Sequence, residues 1–563
     1  MNTIKKNTNK TNKISLFLGV TLLATSSIGC SVQTNYRSES TSPVSQEKLD
    51  GNIATSTPQL ESQLKNQIKG KKKGKFFSEP QAISDEKYNR EQYKYIQENP
   101  FVKVTSNPLS TFSIDVDTAS YSNVRRFINN GQRPPKDAVR LEEMINYFQY
   151  DYPQPTDDTP LSVNTEVAPA LWNPKHKLVQ IGLQSRPTST ENLPANNLVF
   201  LLDVSGSMGQ PNKLPLLKSA IRLLVNQLRS QDKVSIVVYA GNAGVVLPTT
   251  SGSEKDKILD ALEKLEAGGS TAGGEGIKLA YKIAQDNLIK DGNNRVILAT
   301  DGDFNVGVSS DAELVRMIEK ERDGGTFLTV LGFGTGNYQD NKMKQLANKG
   351  NGNYAYIDNL LEAKKVLVKE MGSTLLTVAK DVKLQIEFNP KQVQAYRLIG
   401  YENRLLADQD FNDDTKDAGE IGAGHSVTAL YEIIPTGTAI DIPISNIDPL
   451  KYQKPNQIGN NSNDLMQVKL RYKLPKRSKS QLKTYTVIDK GLTIDDASAN
   501  FKFSSSVASF GMVLRDSKYK GTATLESVLK LASQSQGADL HGYRAEFIRL
   551  VEKSKKLATQ TIR

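Results

Sequence analysis

Asp203, Ser205 and Ser207 stand at two-residue spacing where the apolar run of FLLDVSGSMG (200–209) ends. A carboxylate and two hydroxyls in one glycine-bearing loop can hold a hard cation, activate a nucleophile, or cap the helix that follows. Two distant segments bear on the choice. GGSTAGGEG (268–276) offers the Thr271 hydroxyl among glycines that permit close backbone approach. LATDGD (298–303) ends a second apolar run in Asp301.

Another carboxylate pair sits in FSIDVDTAS (112–120). It imitates the aspartate pair that opens haloacid-dehalogenase-type phosphatases, where Asp115 would be the nucleophile and Asp117 the general acid. Such enzymes need a Rossmann-like unit directly after the pair. A proline-rich helical segment follows instead, which favours a strand-to-helix turn. A serine hydrolase needs a base, and His176, His425 and His541 lie in no nucleophile motif. GFGTGN (332–337) lacks the spacing of a dinucleotide loop, and no P-loop pattern occurs.

The elements that must position these residues alternate in type. NLVFLLDVS, KVSIVVYA, RVILATDG and FLTVLGFG read as buried strands, GVVLPTT as a short edge strand, and helical patterns lie between them. This rhythm over residues 196–376 predicts an α/β unit with a doubly wound, mostly parallel sheet covered on both faces. Ligands of such sheets bind at the carboxyl ends of strands where the strand order reverses, and Asp203 and Asp301 both end strands. Residues 161–195 and 377–500 are rich in strands, so they are expected to form one β-sandwich into which the α/β unit is inserted. Residues 100–160 read as an α+β segment with a helix capped near Asp117 or Thr118 and stopped by Gly131. Residues 501–563 return to helices, and Trp172 reads as sandwich core.

The order Asp-x-Ser-x-Ser, Thr, Asp, with its spacings and strand contexts, resembles the metal-ion-dependent adhesion site of the von Willebrand factor A domain. The resemblance implies that Asp203, Ser205, Ser207, Thr271 and Asp301 hold a divalent cation, Mg2+ or another such as Mn2+ or Ca2+. A small hard cation takes oxygen donors, and three neutral hydroxyls leave it under-neutralised. It would then attract an Asp or Glu carboxylate from a protein partner at its open position. Helix capping by the two serines remains the alternative. The flanks FSIDVDTASYSNVRRFINNG and FSSSVASFGMVLRD…GYRAEFIRLVE look like those of a bacterial lipoprotein family built around such a domain. The function implied is metal-dependent protein binding, not catalysis. A metal-dependent hydrolase and a metal-independent envelope scaffold are the other classes.

Four lysines precede the apolar stretch ISLFLGVTLLA (14–24), which is too short to span a bilayer. TSSIGC follows, ending in Cys30, the one cysteine of 563 residues. A lone cysteine makes no internal disulfide, and its place resembles the lipobox of bacterial lipoproteins. Residues 1–29 are therefore expected to be a signal peptide and Cys30 the lipidated residue that anchors the chain in the cell envelope. By the rule of the lipoproteins it resembles, Ser31 in place of aspartate would weakly favour the outer membrane where two membranes exist. Residues 30–99 are polar and predict a flexible tether. The formal charge of +11 is accompanied by no basic-aromatic module, so no nucleic-acid partner is expected.

Overall fold

The computed structural model describes residues 90–188, 193–270, 273–302, 311–370, 376–440, 442, 444 and 462–560. Strands β1 (Val102–Lys103) and β2 (Leu109–Ser113) lead into helices α1 (Ala119–Asn129) and α2 (Leu141–Asn146), then β3 (Leu161–Ala170) and β4 (Asn173–Ser185). Next come β5 (Asn196–Asp203), α3 (Leu214–Val225), β6 (Lys233–Tyr239), β7 (Ala243–Ser251), α4 (Lys255–Glu263) and α5 (Gly273–Asp286). The same unit continues through β8 (Asn293–Thr300), α6 (Asp311–Asp323), β9 (Thr326–Phe333), α7 (Asp340–Lys349), β10 (Tyr354–Ile357) and α8 (Leu360–Lys364). Beyond it lie β11 (Thr377–Phe388), β12 (Val393–Ile399), β13 (Gly419–Gly422), β14 (Ser426–Pro435), β15 (Met466–Lys473) and β16 (Gln481–Val487). Helices α9 (Ala499–Arg515), α10 (Leu525–Gln534) and α11 (Tyr543–Gln560) close the chain.

The α/β unit has the expected doubly wound sheet, in the order β10-β9-β8-β5-β6-β7. All neighbours pair in parallel except β7, which runs antiparallel to β6 at the edge. Alternation along β5 explains the two-sided covering. Leu198, Phe200 and Leu202 pack with Leu217 and Ile221 of α3 and Ile258 of α4. Val199 and Leu201 pack on the other face with Ile277 of α5, Ile318 of α6 and Leu346 of α7. Both layers exclude water from a fully buried strand, as the unbroken apolar run required.

Strands from before and after this unit pair with one another, as an insertion demands. β4 lies between β3 and β14, and β2 pairs with β11. One sheet runs β1-β12-β14-β4-β3 and the facing one β13-β11-β15-β16. Phe112, Ile181, Leu183, Leu384, Ile386 and Tyr431 fill the space between them. Trp172 is not in that layer. It is buried with Tyr121, Met144, Phe148, Phe501 and Phe547, in the core that α1 and α2 share with the C-terminal helices.

Two local expectations are corrected. Neither Asp117 nor Thr118 caps α1 through its side chain. The Asp117 carboxylate accepts instead from the backbone N–H of Tyr354, 2.9 Å away, which ties α1 to β10. The expected tether also ends earlier than residue 99. Arg90 and Gln92 donate backbone hydrogen bonds to Gly336 and Tyr338, at 2.6 and 2.9 Å. Glu91 forms an ion pair with Arg126 at 2.8 Å. Polar composition hid this segment because backbone bonds and one ion pair hold it. The signal segment, Cys30 and the rest of the expected tether lie outside the described residues. No described helix is long and apolar enough to cross a membrane.

Candidate functional site

β5 is flanked by β6 on one side and β8 on the other, so the strand order reverses at β5. Parallel register sets Asp203 level with Tyr239 of β6 and Leu202 level with Ala299 of β8. Asp301 therefore emerges one residue past the β8 end, beside the Asp203 loop. Backbone bonds fix the surroundings: Gly206 donates to the Gly269 carbonyl at 3.0 Å and Gly268 to the Val204 carbonyl at 2.8 Å. Gly302 has φ +105, a region that disfavours side chains, and a Cβ there would lie 2.5 Å from the Gln339 nitrogen.

Each carboxylate has defined partners. Asp203 Oδ1 accepts from the Ser205 backbone N–H at 2.9 Å, and Oδ2 accepts from the Tyr239 hydroxyl and the Thr300 hydroxyl, both at 3.1 Å. The Ser205 and Ser207 hydroxyls lie 3.1 Å apart. Asp301, fully buried, accepts from the Lys213 ammonium at 2.9 Å. Burial raises the Asp203 pKa above the ordinary carboxylate value, and the negative charge of Asp301 adds to that rise. Four of the five expected ligands thus gather in one loop cluster; the fifth, Thr271, lies outside the described residues. The donor set fits a hard divalent cation: two carboxylates that repel each other and two hydroxyls, with no softer nitrogen or sulfur ligand among the five expected residues. Nor do the serines act as caps. Ser205 precedes a short turn of 3-10 helix without a capping bond.

Sequence reasoning missed Tyr239, Thr300 and Lys213. The first two stand at strand ends next to the aspartates, and the strand-end rule that found Asp203 would also have found them. Lys213 stands in a polar loop with no such mark.

Asp115, Asp117 and Glu143 form a second acidic cluster. Side-chain cations already fill it. Lys344 lies 2.9 Å from Asp115 and 3.6 Å from Asp117 and also pairs with Glu143, while Arg404 binds Asp115 at 2.9 Å. Arg140 joins the network through Glu143 and Asp340. Burial alone would raise the Asp115 pKa, but Arg404 and Lys344 hold it well below the carboxylate range. Burial and the charge of Asp115 push Asp117 up to about 7. The pair follows β2, an antiparallel sandwich strand, and not a parallel Rossmann-like strand. That placement withholds the scaffold the phosphatase reading needs. Of the histidines, His176 bonds to Glu432 at 2.7 Å within the sandwich, and His425 precedes β14 of the same sandwich.

Comparison with known proteins agrees with this layout. The family model of the von Willebrand factor type A domain matches residues 197–369. One described as von Willebrand factor matches residues 87–180, and one described as the C-terminal part of the uncharacterized protein YfbK matches residues 373–557. The chain is 45% identical to the uncharacterized protein YfbK of Escherichia coli (strain K12) over 470 residues, 82% of this chain and 80% of that one. It is 31% identical to the uncharacterized protein sll0103 of Synechocystis over 168 residues, 30% of this chain and 39% of that one. Among solved structures, the conserved hypothetical protein BatB from Bacteroides thetaiotaomicron is 25% identical, with 31% of this chain and 97% of that one covered and a TM-score of 0.28.

Proposed function

The chain belongs to a bacterial family of von Willebrand factor type A domain proteins, and from that premise we propose that it is an envelope lipoprotein that binds a protein partner through a divalent cation. Asp203, Ser205, Ser207, Thr271 and Asp301 hold the ion, Mg2+ or Mn2+ or Ca2+, and Cys30 carries the lipid. The observation that supports this most is the convergence of two strand-end carboxylates and two hydroxyls at the reversal point of the sheet. When bound, the ion supplies an open position for a carboxylate oxygen. The chain's own groups do the rest. Tyr239 and Thr300 fix the Asp203 carboxylate by donating to its Oδ2, while the Ser205 hydroxyl is buried and Ser207 is exposed. Keeping only two anionic ligands preserves the ion's attraction for a third.

Capture of a partner from envelope extracts tests the proposal. Wild-type protein is expected to retain a partner in Mg2+ and to lose it in EDTA, with the fold intact because both sheet faces have apolar cores independent of the ion. Asp203→Ala should abolish capture in Mg2+, and Thr271→Ala should weaken it. Cys30→Ala should release the protein from membranes without changing capture. Retention that survives EDTA and both substitutions would overturn the metal-dependent reading. Hydrolysis of a phosphate ester that is lost in Asp115→Asn would favour the phosphatase class instead.

A further inference from the structure

The metal site has a resident cation of its own. Lys213 is 3% exposed, and its ammonium lies 2.9 Å from Asp301 Oδ2 and 3.4 Å from Asn337 Oδ1. Its position is built by several elements. The Lys213 backbone begins α3, accepting from the Leu217 N–H at 2.8 Å. Its aliphatic stem crosses Gly334, where any Cβ would overlap the stem carbons. Gly334 is held in turn by the Tyr356 hydroxyl, which donates to its carbonyl at 2.6 Å. Glycine at 334, with φ +72, is therefore required by the lysine as much as by the turn.

We propose that Lys213 is an internal competitor for the adhesion site: its ammonium neutralises Asp301 when no divalent cation is bound and leaves that carboxylate when one binds. This rests on the metal-binding reading above. Competition for one carboxylate carries the argument. Asp203 and Asp301 are both buried, and the Lys213 ammonium sits on Asp301 Oδ2. A divalent cation held by Asp301 and the retained ammonium would repel each other while competing for the same carboxylate. Departure of Lys213 removes both the repulsion and the competition. The loop just before Lys213 lies at the surface, with Gly209, Gln210 and Pro211 exposed. The exchange sets metal affinity below what the five oxygen ligands alone would give. It also links occupancy to the start of α3 and to the loop at 334–337, against which residues 90–92 lie.

The test is Mn2+ binding by the detergent-solubilised full chain, followed by the electron paramagnetic resonance of free Mn2+. Lys213→Met keeps much of the stem and removes the charge. It is expected to bind Mn2+ at least about tenfold more tightly than wild type, equivalent to ~1.4 kcal/mol. In parallel, acylation of lysines read by mass spectrometry should find Lys213 of the wild type protected in EDTA and reactive in saturating Mn2+. This second measurement decides the matter if Lys213→Met fails to fold. Equal or weaker Mn2+ affinity in a folded Lys213→Met would overturn the proposal, as would Lys213 reactivity unchanged by Mn2+. Failure of both proteins to bind Mn2+ would overturn the metal-binding reading itself, and this inference with it.

Discussion

Buried charge in this protein is handled residue by residue, and the exceptions are informative. Asp115 and Glu143 each have cationic partners at hydrogen-bond distance, whereas Glu142 has both carboxyl oxygens buried without a hydrogen bond among the described residues. Burial first, and then the nearby charge of Glu402, push its pKa up to about 7. The folded state therefore keeps a proton that the unfolded chain releases near the ordinary glutamate value of 4.5. Stability from this group is present below that value and falls as pH rises through about 7. Glu142→Gln should reduce the slope, to which Asp117 also contributes, and raise stability at pH 8 by up to ~3 kcal/mol, measured by urea denaturation at pH 5 and pH 8. A pH dependence unchanged by the substitution would contradict the assignment. At the same scale, the sequence disclosed Asp203 and Asp301 because each interrupts an apolar run with a charge. Lys213 stayed hidden because a lysine in a polar loop is ordinarily solvated, and only the fold turns it inward.

Among the elements, α1 does the most to bind separate parts of the molecule together. Arg125 on this helix reaches Asp358 at 2.8 Å, Glu362 of α8 at 2.7 Å, Glu546 of α11 at 3.1 Å and the Tyr147 hydroxyl at 2.9 Å. Its guanidinium can serve so many acceptors because its donors are fixed in one plane. Truncation would leave two buried carboxylates of the α/β unit uncompensated. Arg125→Ala is expected to destabilise the protein by ~3–5 kcal/mol in chemical denaturation. A loss below about 1 kcal/mol would show that these charges are solvated on truncation. The elements themselves were largely legible. Unbroken apolar runs marked β5, β8 and β9, and alternation with helices marked a parallel sheet. Residues 90–92 were not legible, since their attachment depends on backbone bonds and the Glu91–Arg126 pair, which leave no apolar trace. The α1 cap was missed for a related reason: Asp117 serves a distant strand, and spacing carries no signal for contacts made across the fold.

Over the whole molecule, an inserted α/β unit presents its loop cluster at one end of the sheet. A sandwich made of strands from both sides of the insertion, and a helical layer packed on it, hold that unit. Insertion was readable from the strand-rich segments on either side. The shared core of α1, α2 and the C-terminal helices was not, because it joins residues more than three hundred positions apart and no local pattern reports such pairing. This architecture offers two acidic clusters to a divalent cation, and they differ in what neutralises them. The Asp115, Asp117 and Glu143 cluster is closed by Lys344, Arg404 and Arg140, whereas the Asp203 and Asp301 cluster pairs Asp301 with Lys213 and adds two neutral hydroxyls. Anomalous diffraction from crystals grown with Mn2+ distinguishes them most directly. The expected result is one strong peak within reach of Asp203, Ser205, Ser207, Thr271 and Asp301, absent in Asp203→Ala. A peak at Asp115, Asp117 and Glu143, or no peak at either cluster at millimolar Mn2+, would contradict a metal-dependent adhesion site in this protein.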